Sequence, residues 1–162
     1  MDYLKAFSEA AHPLSIRGAV PSDALAIAPH LRDADRFELE AKGRDVEQAL
    51  LESVRVSRTT YTVCLHGRPF CLFGLAPFES VSTASVWLLS TPELLNHVKT
   101  FMRIAPQVLE EWRKEFPILF NFVHEKNEVH LRWLERMGFE IHEPAPVFGG
   151  PEKFCAVVKR YV

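Results

Sequence analysis

Two histidines and two glutamates stand close together between positions 124 and 130. Imidazole and carboxylate groups bind metal ions or move protons, so His124, Glu125, Glu128 and His130 are the first candidates for chemistry. A helical zinc site needs two histidines four positions apart with a glutamate between them. His124 and His130 are six apart, across the start of an expected helix, so we predict no metal site. His124 stays a candidate general base, and a histidine in a surface loop is the alternative.

The three cysteines, Cys64, Cys71 and Cys155, are a second set of reactive groups. An odd number of cysteines in a chain whose N-terminus lacks the apolar centre of a signal peptide predicts reduced thiols in the cytoplasm. A two-residue turn at Gly67-Arg68 would place Cys64 opposite Cys71, close enough in principle for a disulfide. Two reduced core residues are the alternative, which the expected compartment favours. We predict no thiol nucleophile.

Length and composition describe the kind of protein that positions these groups. The chain has 162 residues, of which 48% are hydrophobic and 25% charged, as in one globular domain over residues 1–162. Its 19 basic and 21 acidic residues give a net charge of −2, which argues against non-specific nucleic-acid binding. Apolar runs fall short of the roughly 18 residues of a membrane span. Residues 1–13 are expected to form an extension, with a short helix from Asp2 to Ala11.

The first third of the chain predicts one strand and two helices. Leu14 to Gly18 has the pattern of a short strand, and Ser22 or Asp23 can cap the helix that follows. Arg32 to Arg44 is expected to be a polar connection. Asp45 to Ser57 keeps apolar residues at helical spacing, which predicts a second helix.

The middle of the chain predicts an antiparallel meander. Thr59 to Leu65 and Phe70 to Ala76 are rich in β-branched and aromatic residues around a Gly67-Arg68 turn. Ala84 to Ser90 is the third strand of this group.

Start and stop signals delimit the helix that follows. Thr91 before Pro92 is a strong helix start, and we expect the helix to reach about Phe116 with a kink at Pro106. Ile118 to Val123 is expected to be a buried strand. Because this strand–helix–strand step is a right-handed crossover, its two strands should run parallel.

The C-terminal segment predicts a helix from Asn127 to Met137, ended by Gly138, and then strands at Phe139 to His142 and Phe154 to Tyr161. The whole order predicts an α+β fold with a mixed α/β arrangement. It has a central twisted mixed sheet of about seven strands and about four flanking helices.

The segment NEVHLRWLERMGF, from Asn127 to Phe139, resembles the last conserved segment of the GCN5-related N-acetyltransferase (GNAT) superfamily, in which an asparagine opens a helix that ends on Gly-Phe. The opening IRGAVPSDALAIAPHLRDAD is similar to a GNAT first strand and helix. The segments from VWLLSTPELL through FPILFNFV to WLERMGF look most like the small GNAT-like proteins of podoviral bacteriophages. The resemblance covers roughly Leu14 to Tyr161.

The resemblance implies a GNAT fold with splayed fourth and fifth strands and acetyl-CoA as cosubstrate, without a metal. It places the acyl group near His124 and implies Glu79 and Glu38 as further base candidates, from segments on the acceptor side. A backbone N–H near Leu89 would polarise the thioester. The residues that it places at the coenzyme are Leu88, Leu89, Ser90, Thr91, Arg103 and Asn127, with His97 as an alternative to Arg103.

Two positions depart from the family pattern. GNAT enzymes place a glycine-rich phosphate loop after the fourth strand, whereas this chain has Leu89-Ser90-Thr91-Pro92-Glu93. The tyrosine that protonates the leaving thiolate in many members corresponds to Leu134, which has no proton to donate.

Two functions from different classes therefore remain open. The first is an N-acyltransferase of the GNAT type that moves an acetyl group from acetyl-CoA to a small-molecule or protein amine. The alternative is a catalytically degenerate GNAT-fold phage protein, cytoplasmic or virion-associated, that acts in assembly or binds a host protein. An open cleft between the fourth and fifth strands would favour the enzyme, and an exposed patch of Trp, Phe and Leu would favour the alternative. The resemblance also implies a homodimer.

Overall fold

One mixed sheet organises the chain in the computed structural model, which describes residues 13–79 and 81–161. The helix expected from Asp2 to Ala11 lies outside the described residues. The strands stand in the order β1-β2-β3-β4-β5-β7-β6. They are β1 (Leu14–Gly18), β2 (Thr59–Leu65), β3 (Arg68–Pro77), β4 (Thr83–Ser90), β5 (Ile118–His124), β6 (Glu140–Ile141) and β7 (Phe154–Arg160). Neighbouring strands are antiparallel except β4 and β5, which confirms the parallel crossover and the mixed sheet.

Five α-helices in the described ranges cover the two faces of this sheet. They are α1 (Pro21–Ile27), α2 (Asp33–Ala41), α3 (Val46–Val56), α4 (Val98–Trp112) and α5 (Glu128–Arg136), with 3-10 turns at Ala28–His30 and Pro92–His97. Apolar residues of α1 to α3 pack on one face, and those of α4 and α5 pack on the other. The fold has one helix more than expected, because the segment from Arg32 to Arg44 contains α2. That helix buries Asp35 and Glu38 and exposes Phe37, which is the reverse of the usual burial of apolar residues. Its apolar residues therefore do not show the helical spacing by which a helix is normally predicted.

Helix boundaries differ from the expected ones in two places. Pro21 occupies the first helical position of α1, so Val20 is the cap residue instead of Ser22 or Asp23. Thr91 is confirmed as a cap, and its hydroxyl accepts a hydrogen bond from the Glu93 N–H at 3.3 Å. It opens a six-residue 3-10 turn, after which α4 begins and ends at Trp112, short of Phe116.

The β2–β3 hairpin turns one residue earlier than expected. Leu65 pairs with Arg68, so the turn consists of His66 and Gly67, whose φ angles are 49° and 77°. A tight hairpin turn of this kind needs two residues with positive φ. The expected turn at Gly67-Arg68 would have required a positive φ at Arg68. The register then shifts between Val63 and Cys64, and Cys71 faces Val63. The expected Cys64–Cys71 pair is therefore wrong, and all three cysteines are free and buried.

Strands β4 and β5 separate along their length, as expected for splayed strands. Their parallel pairing runs from Thr83 with Ile118 to Ser85 with Phe120 and ends there. Beyond this point the residues 86–90 and 121–124 flank a gap in the sheet. The gap opens onto both helix layers, so it is the place where a ligand can reach main-chain atoms in the middle of the fold.

Candidate functional site

Main-chain groups line both edges of the gap. The Thr91 N–H donates to the Phe70 carbonyl of β3 at 2.8 Å. Because residues of an antiparallel pair alternate in direction, the N–H and C=O of Leu88 and Ser90 point the other way, into the gap. On the opposite edge, the Glu125 N–H donates to the Lys153 carbonyl beside β7, so Phe122 and His124 address the gap.

Helix α2 and the residues beside it span the gap. At the β4 edge, Asp35 Oδ2 accepts from the Ser90 N–H at 3.1 Å, and the Ser90 carbonyl accepts from the Arg32 N–H at 2.8 Å. At the β5 edge, Glu38 Oε1 accepts from the His124 N–H at 2.8 Å, and Lys42 Nζ donates to the Phe122 carbonyl at 3.3 Å. One short segment therefore satisfies backbone groups on both separated strands and leaves those of Leu88 facing the gap.

The charges that α2 brings into the gap balance one another. Arg32 and Asp35 form a buried ion pair, with Nη2 to Oδ1 at 3.1 Å, and the Arg32 guanidinium lies over the Trp133 ring at 5.7 Å. Burial lowers the pKa of Lys42, and the nearby Glu38 carboxylate opposes that shift. A buried charge needs a partner of opposite sign, and here each sign is present twice.

Two cavities adjoin at the gap. A cleft of about 440 Å³ lies on the α2–α3 side, where Glu38, Lys42 and Glu52 are among its polar walls. An apolar cavity of about 120 Å³ lies on the other side, beneath α4. The residues that line both of them are Trp87, Leu88, Asn121 and His130. A molecule in the gap would therefore contact a polar environment on one side and an apolar one on the other.

His130 stands between the two cavities and was passed over in the sequence except as a metal ligand. Its side chain lies on the first turn of α5 and is 8% exposed. Within the described ranges its Nδ1 has no hydrogen-bond partner, and neither does the buried hydroxyl of Ser90 at the β4 edge. Burial lowers the pKa of His130, against the opposing effect of Asp35 and Glu38, which keeps the ring neutral at physiological pH.

His124 is the last residue of β5 and is 1% exposed, so the alternative of a surface-loop histidine is wrong. Its Nδ1 accepts from the Lys126 N–H at 3.1 Å, and its Nε2 lies 2.6 Å from Glu152 Oε2. The first bond requires an unprotonated Nδ1. The ring proton therefore lies on Nε2, which donates a hydrogen bond to Glu152. The structure therefore holds this ring in place through both nitrogens, between the rings of Phe37 and Phe154.

The other residues proposed from the sequence divide into two groups. Asn127 is buried beside the gap, where its Nδ2 donates to Glu38 Oε1 at 3.1 Å. Arg103 is exposed on α4. Glu79 is exposed in the β3–β4 connection, at the paired end of β4 and the far end from Ser90. The structure thus brings five of the proposed residues together at the gap: Leu88, Ser90, Glu38, His124 and Asn127. Glu79 lies apart from them.

The connection after β4 is internally satisfied. Thr91 caps the 3-10 turn, and Glu93 Oε1 pairs with His97 Nε2 at 3.0 Å one turn later. Pro92 has no N–H to offer, and Glu93 places negative charge at the start of the turn. The Glu93 and Leu94 N–H groups are bonded to Thr91 as well, so the start of this connection has no free N–H group for a pyrophosphate.

The sequence carried a signal for α2 that only its polar residues could show. Arg32, Asp35 and Glu38 are spaced three apart, which puts them on one side of a helix. Charged residues at that spacing are ordinarily a solvated face, and the structure turns this face inward. The inward position of the charged residues, with Phe37 exposed, could be predicted only by knowing that main-chain groups of β4 and β5 at the gap need hydrogen-bond partners.

Comparison with solved structures identifies the fold. Ard1 from Thermoplasma volcanium superposes with a TM-score of 0.72 at 14% identity, covering 93% of this chain and 99% of that one. An acetyltransferase of the GNAT family from Bacillus anthracis gives a TM-score of 0.66 at 16% identity, over 92% of this chain and 94% of that one. The Salmonella typhimurium protein yncA, solved with its cofactor acetyl-CoA, gives 0.65 at 12% identity, over 93% and 95%. At these identities the likeness shows the fold, which is that of the GNAT acetyltransferases.

No family model and no curated protein sequence matches the chain. Within the described ranges there is no group of three or more side chains that could hold a metal ion. No helix in the same ranges is long and apolar enough to cross a membrane.

Proposed function

We propose that this chain is an acyltransferase of the GNAT type, which transfers an acetyl group from acetyl-CoA to an amine. The observation that carries the proposal is the gap between β4 and β5, where the main chain of Leu88 faces a cleft of about 440 Å³. The shared fold, and the acetyl-CoA in one structure of that fold, support it.

The groups at the gap suit the thioester end of the coenzyme. The N–H and C=O of Leu88 can pair with an extended amide chain in place of the missing strand contacts, or the N–H can polarise the thioester carbonyl. The Ser90 hydroxyl is a buried polar group without a partner among the described residues, and an amide would supply one. The apolar cavity beside them accommodates the hydrocarbon part of the chain.

In the proposed reaction the amine nitrogen attacks the thioester carbonyl carbon directly. A carbon–nitrogen bond forms, the carbon–sulfur bond breaks, and the proton lost by nitrogen ends on sulfur. The roles of His124 and Glu79 in taking this proton stay predictions. His124 lines neither cavity and forms a hydrogen-bonded pair with Glu152, which supports a positioning role at least as well as that of a base.

Calorimetric titration with acetyl-CoA and with free CoA tests the proposal. We expect micromolar dissociation constants and a loss of binding in Asn121→Phe, which fills the gap between the two cavities. Arg103→Ala should weaken binding if Arg103 contacts a phosphate, and Arg55→Ala, an exposed arginine on α3, is its control. No heat at millimolar coenzyme with the unaltered protein would contradict the proposal.

A second candidate follows from the occupied part of the gap. Both main-chain groups of Ser90 already have partners from α2 and its flank, and Phe37, Phe78 and Phe148 expose 41–50% of their surfaces. These features favour a GNAT-fold protein that binds a protein partner without catalysis, such as the phage assembly or host-binding role that the sequence resemblance implies. The calorimetric titration separates the two, because this candidate requires no coenzyme binding.

A further inference from the structure

Four buried side-chain atoms in the described part of the chain have no hydrogen-bond partner: Thr60 Oγ1, Ser90 Oγ, His130 Nδ1 and Tyr161 Oη. Leaving such a group unpaired costs about 1–3 kcal/mol, so each one calls for an explanation. Ser90 and His130 both belong to the surroundings of the gap. His130 lines both cavities, so a ligand that brings its own polar atoms would explain its unpaired Nδ1, whereas Ser90 lines neither cavity.

The position of His130 is what distinguishes it from the other three groups. Its ring lines the polar cleft and also the apolar cavity, as do Leu88 and Asn121. An amine entering through the cleft and a thioester lying along the gap would meet next to this ring. His124, by contrast, lines neither cavity and uses both of its ring nitrogens in hydrogen bonds.

The surroundings of His130 hold its ring in the neutral form. Asp35 and Glu38 of α2 favour the protonated ring, whereas Arg32, Lys42 and above all burial disfavour it, and the balance lowers its pKa. The ring is therefore neutral at the start. Because these carboxylates lie close by, a proton that it takes up during a reaction is partly stabilised.

Helix α5 offers a second argument. The family resemblance assigns its tyrosine acid to the position of Leu134, which lines the apolar cavity. His130 stands four residues earlier, so it lies on the same side of α5, one turn away. A proton donor missing at position 134 is thus replaced by a titratable group that borders the same cavity.

We propose that His130 is a catalytic residue that carries the proton of the acyl transfer from the attacking amine to the departing sulfur. As the new carbon–nitrogen bond forms, the nitrogen gives its proton to the neutral imidazole. As the carbon–sulfur bond breaks, the imidazolium gives that proton to the sulfur. The products are an amide and a thiol, and the ring returns to its neutral form. This inference rests on the proposed function.

Histidine NMR of the whole protein tests the inference without an acceptor. The seven histidines are labelled, and the His130 ring signals are identified by their loss in His130→Gln, or in His130→Asn if the first variant fails to fold. Addition of CoA or acetyl-CoA should shift the His130 ring signals and the pH midpoint of their titration. The dependence of the shift on coenzyme concentration should give the same dissociation constant as calorimetry. The exposed His66 and His142 are internal controls and should not move.

The outcomes separate the two proposals. If coenzyme binds and the His130 signals stay unchanged, the role of His130 is overturned while the acyltransferase proposal stands. If no coenzyme binds, both fall. With any amine that the protein acetylates, His130→Ala should lower the turnover rate about 10²–10⁴-fold. Its coenzyme affinity should fall far less than its turnover rate, and added imidazole should restore part of the rate.

A purely structural role for His130 predicts a different kinetic pattern. In that case, replacing His130 would lower coenzyme affinity and thermal stability together, and added imidazole would not restore the rate. The acid limb of the pH–rate profile, which the proposal places below the ordinary histidine pKa of 6.5, would then survive in His130→Gln. Retention of that limb would overturn the inference.

Discussion

Asp23 joins the first strand to the first helix through one buried carboxylate. Its oxygens accept from the Arg17 guanidinium at 2.7 and 2.8 Å, from the Val20 N–H at 2.9 Å and from the Thr62 hydroxyl at 2.7 Å. Burial alone would raise the pKa of Asp23, but these donors lower it overall. The carboxylate therefore stays charged and satisfied inside the fold.

Replacing Asp23 by Ala should destabilise the protein by about 2–3 kcal/mol, because it leaves the Val20 N–H and the buried Thr62 hydroxyl without their acceptor. Arg17 is nearly half exposed, so its ion pair adds little. Urea unfolding measures the change. The exposed Asp33→Asn is the control and should cost less than about 1 kcal/mol. Equal effects of the two substitutions would contradict this account.

His130 should make the protein sensitive to mild acid. Because its pKa in the folded state is lowered from 6.5, the unfolded state binds more protons below that pH. Stability should therefore be complete above pH 6.5 and fall as the pH drops below it, by up to about 1.4 kcal/mol per pH unit. Urea unfolding between pH 7 and pH 5 should show a smaller loss in His130→Gln. Parallel curves for the two proteins would refute the buried, neutral ring.

At the level of residues, the sequence indicated the positions and missed the partners. Asn127 and His124 were proposed from the sequence as site residues, and both donate to Glu38 across 86 to 89 positions of the chain. Such contacts depend on the three-dimensional fold and leave no local pattern. His130 was passed over because six-residue spacing rules out a metal pair and says nothing about burial.

Helix α2 is the element that sets the form of the site. Its carboxylates accept hydrogen bonds from β4 and β5, and Lys42 just after it donates to β5, so it takes the place that a neighbouring strand would have between them. The helix was missed in the sequence because apolar spacing is the usual helix signal, and its inward side is charged. By contrast, the end of α5 was found from Gly138, whose φ of 87° just after the helix is a local signal, whereas Asn127 precedes the helix without a capping hydrogen bond from its side chain.

Replacing Glu38 by Ala should loosen the β5 side of the gap. The His124 N–H and the Asn127 amide would lose a shared acceptor, which should cost about 1–3 kcal/mol. Hydrogen exchange should accelerate at His124 and stay slow in β2 and β3. Glu40→Ala, an exposed residue of the same helix, is the control and should leave exchange at His124 unchanged. Equal exchange in the two variants would show that α2 does not hold β5.

For the molecule as a whole, the order of strands and helices followed from the sequence. The crossover through α4 forces β4 and β5 to be parallel, and the Thr91-Pro92 start signal located its beginning. What could not be predicted is where the pairing of β4 and β5 ends. The apolar run of β4 continues past Ser85 as far as Leu89, and Phe122 and Val123 follow Asn121 in β5, so the hydrophobic pattern does not mark the point where pairing ends.

The cysteines should report unfolding of the entire domain. Cys64, Cys71 and Cys155 are each at most 5% exposed, and burial raises the pKa of all three thiols. The native protein should therefore react with a thiol reagent only as fast as it unfolds, and three thiols should react in denaturant. One rapidly labelled thiol in the native protein would contradict the packing around that residue.

The hydrogen bonds by which α2 and its neighbours span the gap also imply the order in which β4 and β5 join the fold. The hydrogen bond that Asp35 accepts from Ser90 closes a stretch of 55 residues. The bond from Lys42 to Phe122 and the two that Glu38 accepts from His124 and Asn127 close stretches of 80 to 89 residues. A chain made from its N-terminus offers β4 to α2 well before β5 leaves the ribosome. The width of the cleft is therefore fixed only when β5 and the elements that follow it dock onto a helix already attached to the first half of the sheet.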